Sequence, residues 1–280
     1  MKHFELNWNS SDGLQIFAQA WMPDDRTPKA VVCLIHGLGE HTSRYTHVAE
    51  AFCNAGYLLL GADIRGHGRS GGKRGHFSSI EIVLKDIDIL LEKSNELYPH
   101  LPKVLYGHSM GGVLVLHYCL KHKPDVKAVI ATSPGLQSSL EKQPLKVMAA
   151  KVLGSIIPGV TISNGLPVKA MSRDQKVIDS LFTDPLYHFK VSLGFGKIML
   201  GVTKWTLQHA DEFKYPLLLM HGKADTLAYT SGSIEFAAKL VNKCNLILWD
   251  NAYHELHNEP EKKDVLNTMI DWLDTKLNDT

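Results

Sequence analysis

Gly107-His108-Ser109-Met110-Gly111 is the stretch on which the reading of the fold turns. It has the form G-x-S-x-G, with Gly112 directly after it. It stands between an apolar run, Lys103 to Tyr106, and a helix-period segment, Met110 to His122. A strand that turns sharply into a helix needs small residues two places before and two places after its central residue, because neighbouring chain segments pass close by there. The central residue takes strained backbone angles. Such a turn lifts the Ser109 hydroxyl above the edge of a sheet. It also leaves the Met110 N–H at a helix N-terminus, where it can stabilise an oxyanion. The competing interpretation is a glycine-rich tight turn with an incidental serine.

Outward from this turn, short apolar runs alternate with helix-period segments. Val31 to Ile35, Tyr57 to Ala62, Lys127 to Thr132, Leu217 to Met220 and Asn245 to Trp249 read as buried strands. Helices are predicted over Arg44 to Ala55, near Ser233 to Val241 and over Lys262 to Leu277. Another opens at the capping box Ser78-Ser79-Ile80-Glu81 and carries Ile80, Val83, Leu84, Ile87, Leu90, Leu91 and Leu97 on one face. Before residue 30, Phe4 to Trp8 and Leu14 to Trp21 can pair as an antiparallel hairpin. The alternation predicts an α/β fold with a mainly parallel sheet covered on both faces. It lapses between about Pro134 and Pro216, where helical stretches occur without a convincing strand. The chain therefore divides into a core, residues 1–135 and 215–280, and a helical insert, residues 136–214.

A serine hydroxyl is a weak nucleophile until a base takes its proton. In a fold of this kind the acid and then the histidine follow the serine in sequence. Of fifteen histidines, His254 lies just after the last strand, on the rim where Ser109 stands, with His257 its nearest competitor. Asp225 follows the Leu217 to Met220 strand on the same rim. Asp211 precedes that strand, and Asp250 ends the next one, where it can simply cap the turn. Asp225 would orient the imidazole of His254 and stabilise its charged form. A second oxyanion donor belongs to the loop after an earlier strand, and in His36-Gly37-Leu38-Gly39 the backbone N–H of Leu38 fits.

Composition excludes other classes. Thirty Lys and Arg against 29 Asp and Glu leave a net charge of +1, too little basic excess for a nucleic-acid-binding domain. A chain that is 44% hydrophobic and 21% charged is not disordered. Cys33, Cys53, Cys119 and Cys244 are widely spaced and form no C-x-x-C pair. The start, Met1 to Glu5, has no apolar signal region, and no apolar stretch is long enough to span a bilayer, so a cytoplasmic location is expected. Gly66 to Gly71 matches G-x-G-x-x-G, but no helix pattern begins there; a glycine-rich loop held by Asp63 and Arg65 is expected instead. His254-Glu255-Leu256-His257 spaces its histidines three apart, not the four of a zinc peptidase.

Together these residues resemble the α/β-hydrolase superfamily, more narrowly its monoacylglycerol lipase and lysophospholipase branch, from about Gln15 to Leu273. The resemblance is carried by His36-Gly37-Leu38-Gly39-Glu40-His41 with Arg44-Tyr45, Gly66-His67-Gly68-Arg69-Ser70, Gly107 to Gly112, Ser172-Arg173, Asp184-Pro185-Leu186 and Ala252 to His257. It implies a mostly parallel eight-stranded sheet, Ser109, Asp225 and His254 as a triad, Leu38 and Met110 as oxyanion donors, and no metal or organic cofactor. It further implies that Glu40 and Arg44 support the glycerol end of a single-chain lipid ester. Leu38 and Leu181 depart from the mammalian members, which carry Ala and Tyr there.

In the insert, Leu145, Met148, Ala149, Val152, Leu153, Ile156 and Ile157 fall at helical spacing, with Lys146 and Lys151 among them. Periodicity leaves open whether this stripe covers an acyl tunnel and touches membrane or only packs on the sheet. The resemblance favours a cap, with Met148, Val152, Ile156 and Leu181 toward substrate. The expected activity is cleavage of monoacylglycerol to fatty acid and glycerol. The alternatives are a lysophospholipase or general carboxylesterase, and a non-catalytic hydrolase-fold binding protein.

Overall fold

The computed structural model describes residues 1–138, 148, 152–240 and 243–278. The chain opens with the expected antiparallel hairpin, β1 (Lys2–Asn9) and β2 (Gln15–Met22). It continues through β3 (Val31–Ile35), α1 (Thr46–Asn54), β4 (Leu58–Ala62), α2 (Ile80–Leu97), β5 (Lys103–His108), α3 (Met110–His122) and β6 (Ala128–Thr132). An interval then holds β7 (Thr161–Ser163), α4 (Gln175–Thr183), β8 (Lys190–Ser192) and α5 (Leu193–Gln208). The sheet resumes with β9 (Leu217–Gly222), α6 (Thr230–Ala238) and β10 (Cys244–Trp249), and α7 (Lys262–Asn278) closes the chain.

Eight strands form one sheet in the order β1-β2-β4-β3-β5-β6-β9-β10. Pairing is antiparallel from β1 through β4 and parallel from there to β10. Alternate residues of a strand point to opposite faces. Val31, Cys33 and Ile35 accordingly join one core with Val83, Ile87, Val113 and Phe236, while Val32 and Leu34 join a second with Val48, Phe52, Val265 and Met269. Helices α2, α3, α5 and α6 cover the first face, and α1 and α7 the second. Strands β3, β4, β5, β6 and β9 are buried throughout, whereas β10, at the sheet edge, is mostly half-buried.

Several expectations shift. The interval between β6 and β9 does contain strands: β7 and β8 pair antiparallel through Thr161↔Ser192 and Ser163↔Lys190. Three-residue strands are too short to show a period in sequence. The helix expected from Arg44 starts as a 3₁₀ turn, Thr42–Tyr45, before α1. The cap of α2 is Ser79, whose hydroxyl accepts from the Ile82 N–H, and Leu97 is 42% exposed instead of facing the core. In the glycine-rich loop, Asp63 does hold the backbone, accepting from the Arg69 N–H at 2.8 Å, but the Arg65 guanidinium turns away to Asp12 and Asp86. The predicted residues Leu145, Lys146, Ala149, Lys151 and Val241 lie outside the described residues. No helix among the described residues is long and apolar enough to cross a membrane.

The turn between β5 and α3 is a close crossing of backbones. Ser109 sits at φ 54°, in the left-handed region. A Cβ on Gly111 would lie 2.0 Å from the Ile35 carbonyl oxygen, and one on Gly107 would lie 2.3 Å from that of Gly111. Both obstacles are backbone and cannot swing away. Gly111→Ala should therefore destabilise the protein by about 3 kcal/mol. Denaturant unfolding would measure it, and a loss below about 1 kcal/mol would contradict the crossing.

Candidate active site

Three strand ends deliver the candidate residues to one rim. Ser109 follows β5, Asp225 follows β9, and His254 follows β10. The Ser109 hydroxyl donates to His254 Nε2 at 2.8 Å, and His254 Nδ1–H donates to Asp225 Oδ2 at 2.7 Å. The other histidine and carboxylates weighed in sequence stand elsewhere. Asp250 pairs with Lys223 at the surface, at 2.6 Å. Asp211 lies in a 3₁₀ turn ahead of β9. His257 is fully buried and stacks on Tyr45, with ring centroids 4.6 Å apart.

The Asp225 carboxylate is an almost fully buried anion with four donors. Oδ1 accepts from the Leu227 and Ala228 N–H groups at 2.8 and 3.1 Å. Oδ2 accepts from His254 and, at 3.1 Å, from His221 Nε2. Ser233 Oγ lies 2.8 Å from His221 Nδ1 and fixes that ring's tautomer by donating to it. Burial alone would raise the Asp225 carboxyl, but the imidazoles of His254 and His221 outweigh it and hold the group well below the carboxylate range. For His254 the balance runs the other way. Burial would lower it, and the Asp225 charge beside it brings it above the usual imidazole value. His108 and His257 hydrogen-bond no carboxylate, and burial pushes both well down.

On the far side of Ser109 lies the loop after β3. A Cβ on Gly37 would be 3.3 Å from the Ser109 Cβ, so this loop brushes the serine. Met110 is the first residue of α3, and its N–H has no carbonyl one turn back to bond. Leu38 follows Gly37 in the same loop and is half-buried. The arrangement can thus offer a hydroxyl, a base with its orienting acid, and two backbone donors to a planar carbonyl.

Beneath the rim, Arg44 donates to Glu255 Oε2 at 2.7 Å, lies 3.5 Å from Glu40 Oε2, and spans the Tyr187 ring at 5.3 Å. Glu40 is buried, and burial, against the pull of Arg44, raises its carboxyl to about 7. Leu181 is buried in a cluster with Met171, Ile178 and Tyr187 of the interval and Leu227 from the loop after β9. Met148, Val152 and Ile156 are exposed, Ile156 by 71%. The sequence reading passed over His221, Ser233, Glu255, Asn258 and Tyr187. Only His221 and Glu255 carried a hint: His221 lies at the end of β9, four residues before Asp225, and Glu255 directly follows His254.

The serine aminopeptidase S33 family model matches residues 26–261. The monoacylglycerol lipase of Mycolicibacterium smegmatis is 36% identical over 267 residues, covering 95% of each chain. An abhydrolase domain-containing protein of Dictyostelium discoideum is also 36% identical, over 97% of this chain, which spans only 29% of that protein's length. Among solved structures, the monoacylglycerol lipase of Paleococcus ferrophilus superposes with a TM-score of 0.84 at 32% identity, covering 99% of this chain and 100% of that one. The chain belongs to the serine aminopeptidase S33 family, in the monoacylglycerol lipase branch of the α/β-hydrolases.

Proposed function

We propose that the protein hydrolyses monoacylglycerol to fatty acid and glycerol through an acyl-enzyme on Ser109. The observation that carries this reading is the unbroken hydrogen-bonded line from Ser109 through His254 to the buried Asp225. The glycerol ester as substrate is supported by the family branch and by the two monoacylglycerol lipases that resemble the chain along its length.

Ser109 Oγ attacks the ester carbonyl while His254 Nε2 takes its proton. Negative charge develops on the carbonyl oxygen, where the N–H groups of Leu38 and Met110 bind it. His254 passes the proton to the glycerol oxygen as the C–O bond breaks. Water, deprotonated by His254, then attacks the acyl carbon, and the fatty acid leaves as Ser109 recovers its proton. No metal or organic cofactor takes part in these steps. Residues 136–214 act as a cap over a core of residues 1–135 and 215–280, with Leu181 facing inward. Met148, Val152, Leu153 and Ile156, all at least 40% exposed, form the surface that meets a lipid interface.

Ser109→Ala should abolish monoolein turnover and labelling by a fluorophosphonate probe while circular dichroism stays unchanged. Turnover above about one part in 10⁴ would overturn the assignment.

His254 must be neutral to accept the proton, so kcat/KM should fall as pH drops through a value above the ordinary imidazole figure of about 6.5. Asp225→Asn removes the charge that raises it. The acid limb should move to lower pH, and kcat should fall on the order of 10³- to 10⁴-fold. A pH–rate profile of both proteins tests the sign.

Ile156→Ser should lower turnover of vesicle-borne monoolein by up to about tenfold and leave a soluble short-chain ester untouched. Equal loss on both substrates would count against an interfacial role.

A further inference from the structure

The loop that carries Leu38 is clamped from within, and the clamp has a direction. Glu40 Oε1 accepts the Gly37 N–H at 2.5 Å and the Tyr45 hydroxyl at 2.8 Å. On the other side of the same residue, His36 Nδ1 lies 2.8 Å from the Gly37 carbonyl oxygen. The Ile64 N–H donates to His36 Nε2 at 2.9 Å, so Nε2 is the acceptor and Nδ1 carries the hydrogen. The ring is fully buried, and burial lowers it to about 4, which keeps this tautomer neutral. Further along, the His188 N–H donates to the Gly39 carbonyl at 2.9 Å.

The Gly37 carbonyl and the Leu38 N–H belong to one planar trans peptide, in which they point in opposite directions. Drawing the carbonyl to His36 therefore turns the Leu38 N–H the other way, and that N–H has no protein partner among the described residues. Glu40 fixes the preceding peptide, and with it the rotation of Gly37. Since Gly37 has no side chain to restrain it, these two clamps take the place of steric restraint. Both are inward-facing contacts: Glu40 is 3% exposed, with its second oxygen toward Arg44.

We propose that Glu40, with His36 opposite it, is a positioning residue for the oxyanion: it locks the Gly37–Leu38 backbone so that the Leu38 N–H stays aimed at the carbonyl under attack, and it does not bind the alcohol. The proposal rests on Ser109 being the nucleophile. It places the action of Glu40 on the acyl side, common to every ester the protein cleaves, whatever its alcohol.

The test compares monoolein with methyl oleate, and a long-chain trifluoromethyl ketone with 1-O-oleylglycerol. The ketone forms a tetrahedral oxyanion on the serine. The ether carries the same chain and glycerol but has no carbonyl to attack. Glu40→Leu should lower kcat on both esters alike, by tenfold or more, with KM within twofold. It should weaken the ketone by the same factor and leave ether binding within twofold. Glu40→Gln retains an acceptor oxygen for Gly37 and should recover most of the kcat and ketone affinity. Loss confined to monoolein together with weakened ether binding would make Glu40 an alcohol ligand and overturn the proposal. So would an unchanged kcat in a folded Leu variant, or a Gln variant no better than Leu. Should the Leu variant not fold, Glu40→Asp, with its acceptor drawn back by one methylene, reads the same contrast between ketone and ether. Failure of the serine assignment itself shows separately, as a wild-type protein whose ketone affinity does not depend on Ser109.

Discussion

The contact on which the site depends is a crossing of backbones. The first turn of α3 passes over the end of β3 so closely that only glycine fits at position 111, against the Ile35 and His36 carbonyls. That approach does more than shape the serine turn. It brings the loop after β3 within van der Waals reach of Ser109, so Ser109 and the candidate oxyanion donor are positioned by one packing event. The strain at Ser109, with φ 54°, is sustained because β5 and α3 are each anchored in a buried core on either side of it.

The electrostatics follow a similar economy. Histidines crowd the rim, and burial drives His36, His67, His108 and His257 toward the neutral form. His254 is raised instead, because it hydrogen-bonds the Asp225 carboxylate directly, which none of those four does. One buried charge, satisfied by four donors, thereby sets His254 apart from a group of chemically identical rings.

Much of the fold was legible in the sequence because its signals are local. Buried parallel strands read as unbroken apolar runs, and the glycines around Ser109 mark a turn with a steric requirement. The rim residues Asp225 and His254 were legible from their places after strands. What stayed hidden depends on contacts distant in sequence. Nothing local shows that Arg44 reaches Glu255, 211 positions later. The pairing of β7 with β8 joins segments too short to carry a period. Leu97 is exposed as the last residue of α2, and a helical wheel does not contain where a helix ends.

The interval between β6 and β9 is stitched to the loops of the rim at several points. Met171 accepts from the Glu255 N–H at 2.8 Å, Ser172 donates to the Asn258 carbonyl at 2.9 Å, and His188 reaches Gly39. Asp184 lies 2.8 Å from His41, beside the loop that carries Leu38. Such seams limit modular exchange. A chimera that replaces the whole interval with the corresponding stretch of a relative discards the partners of the loops bearing His254 and Leu38. The separable part is the outer stretch around residues 152–162, whose apolar side chains are largely exposed and whose exchange leaves those seams intact.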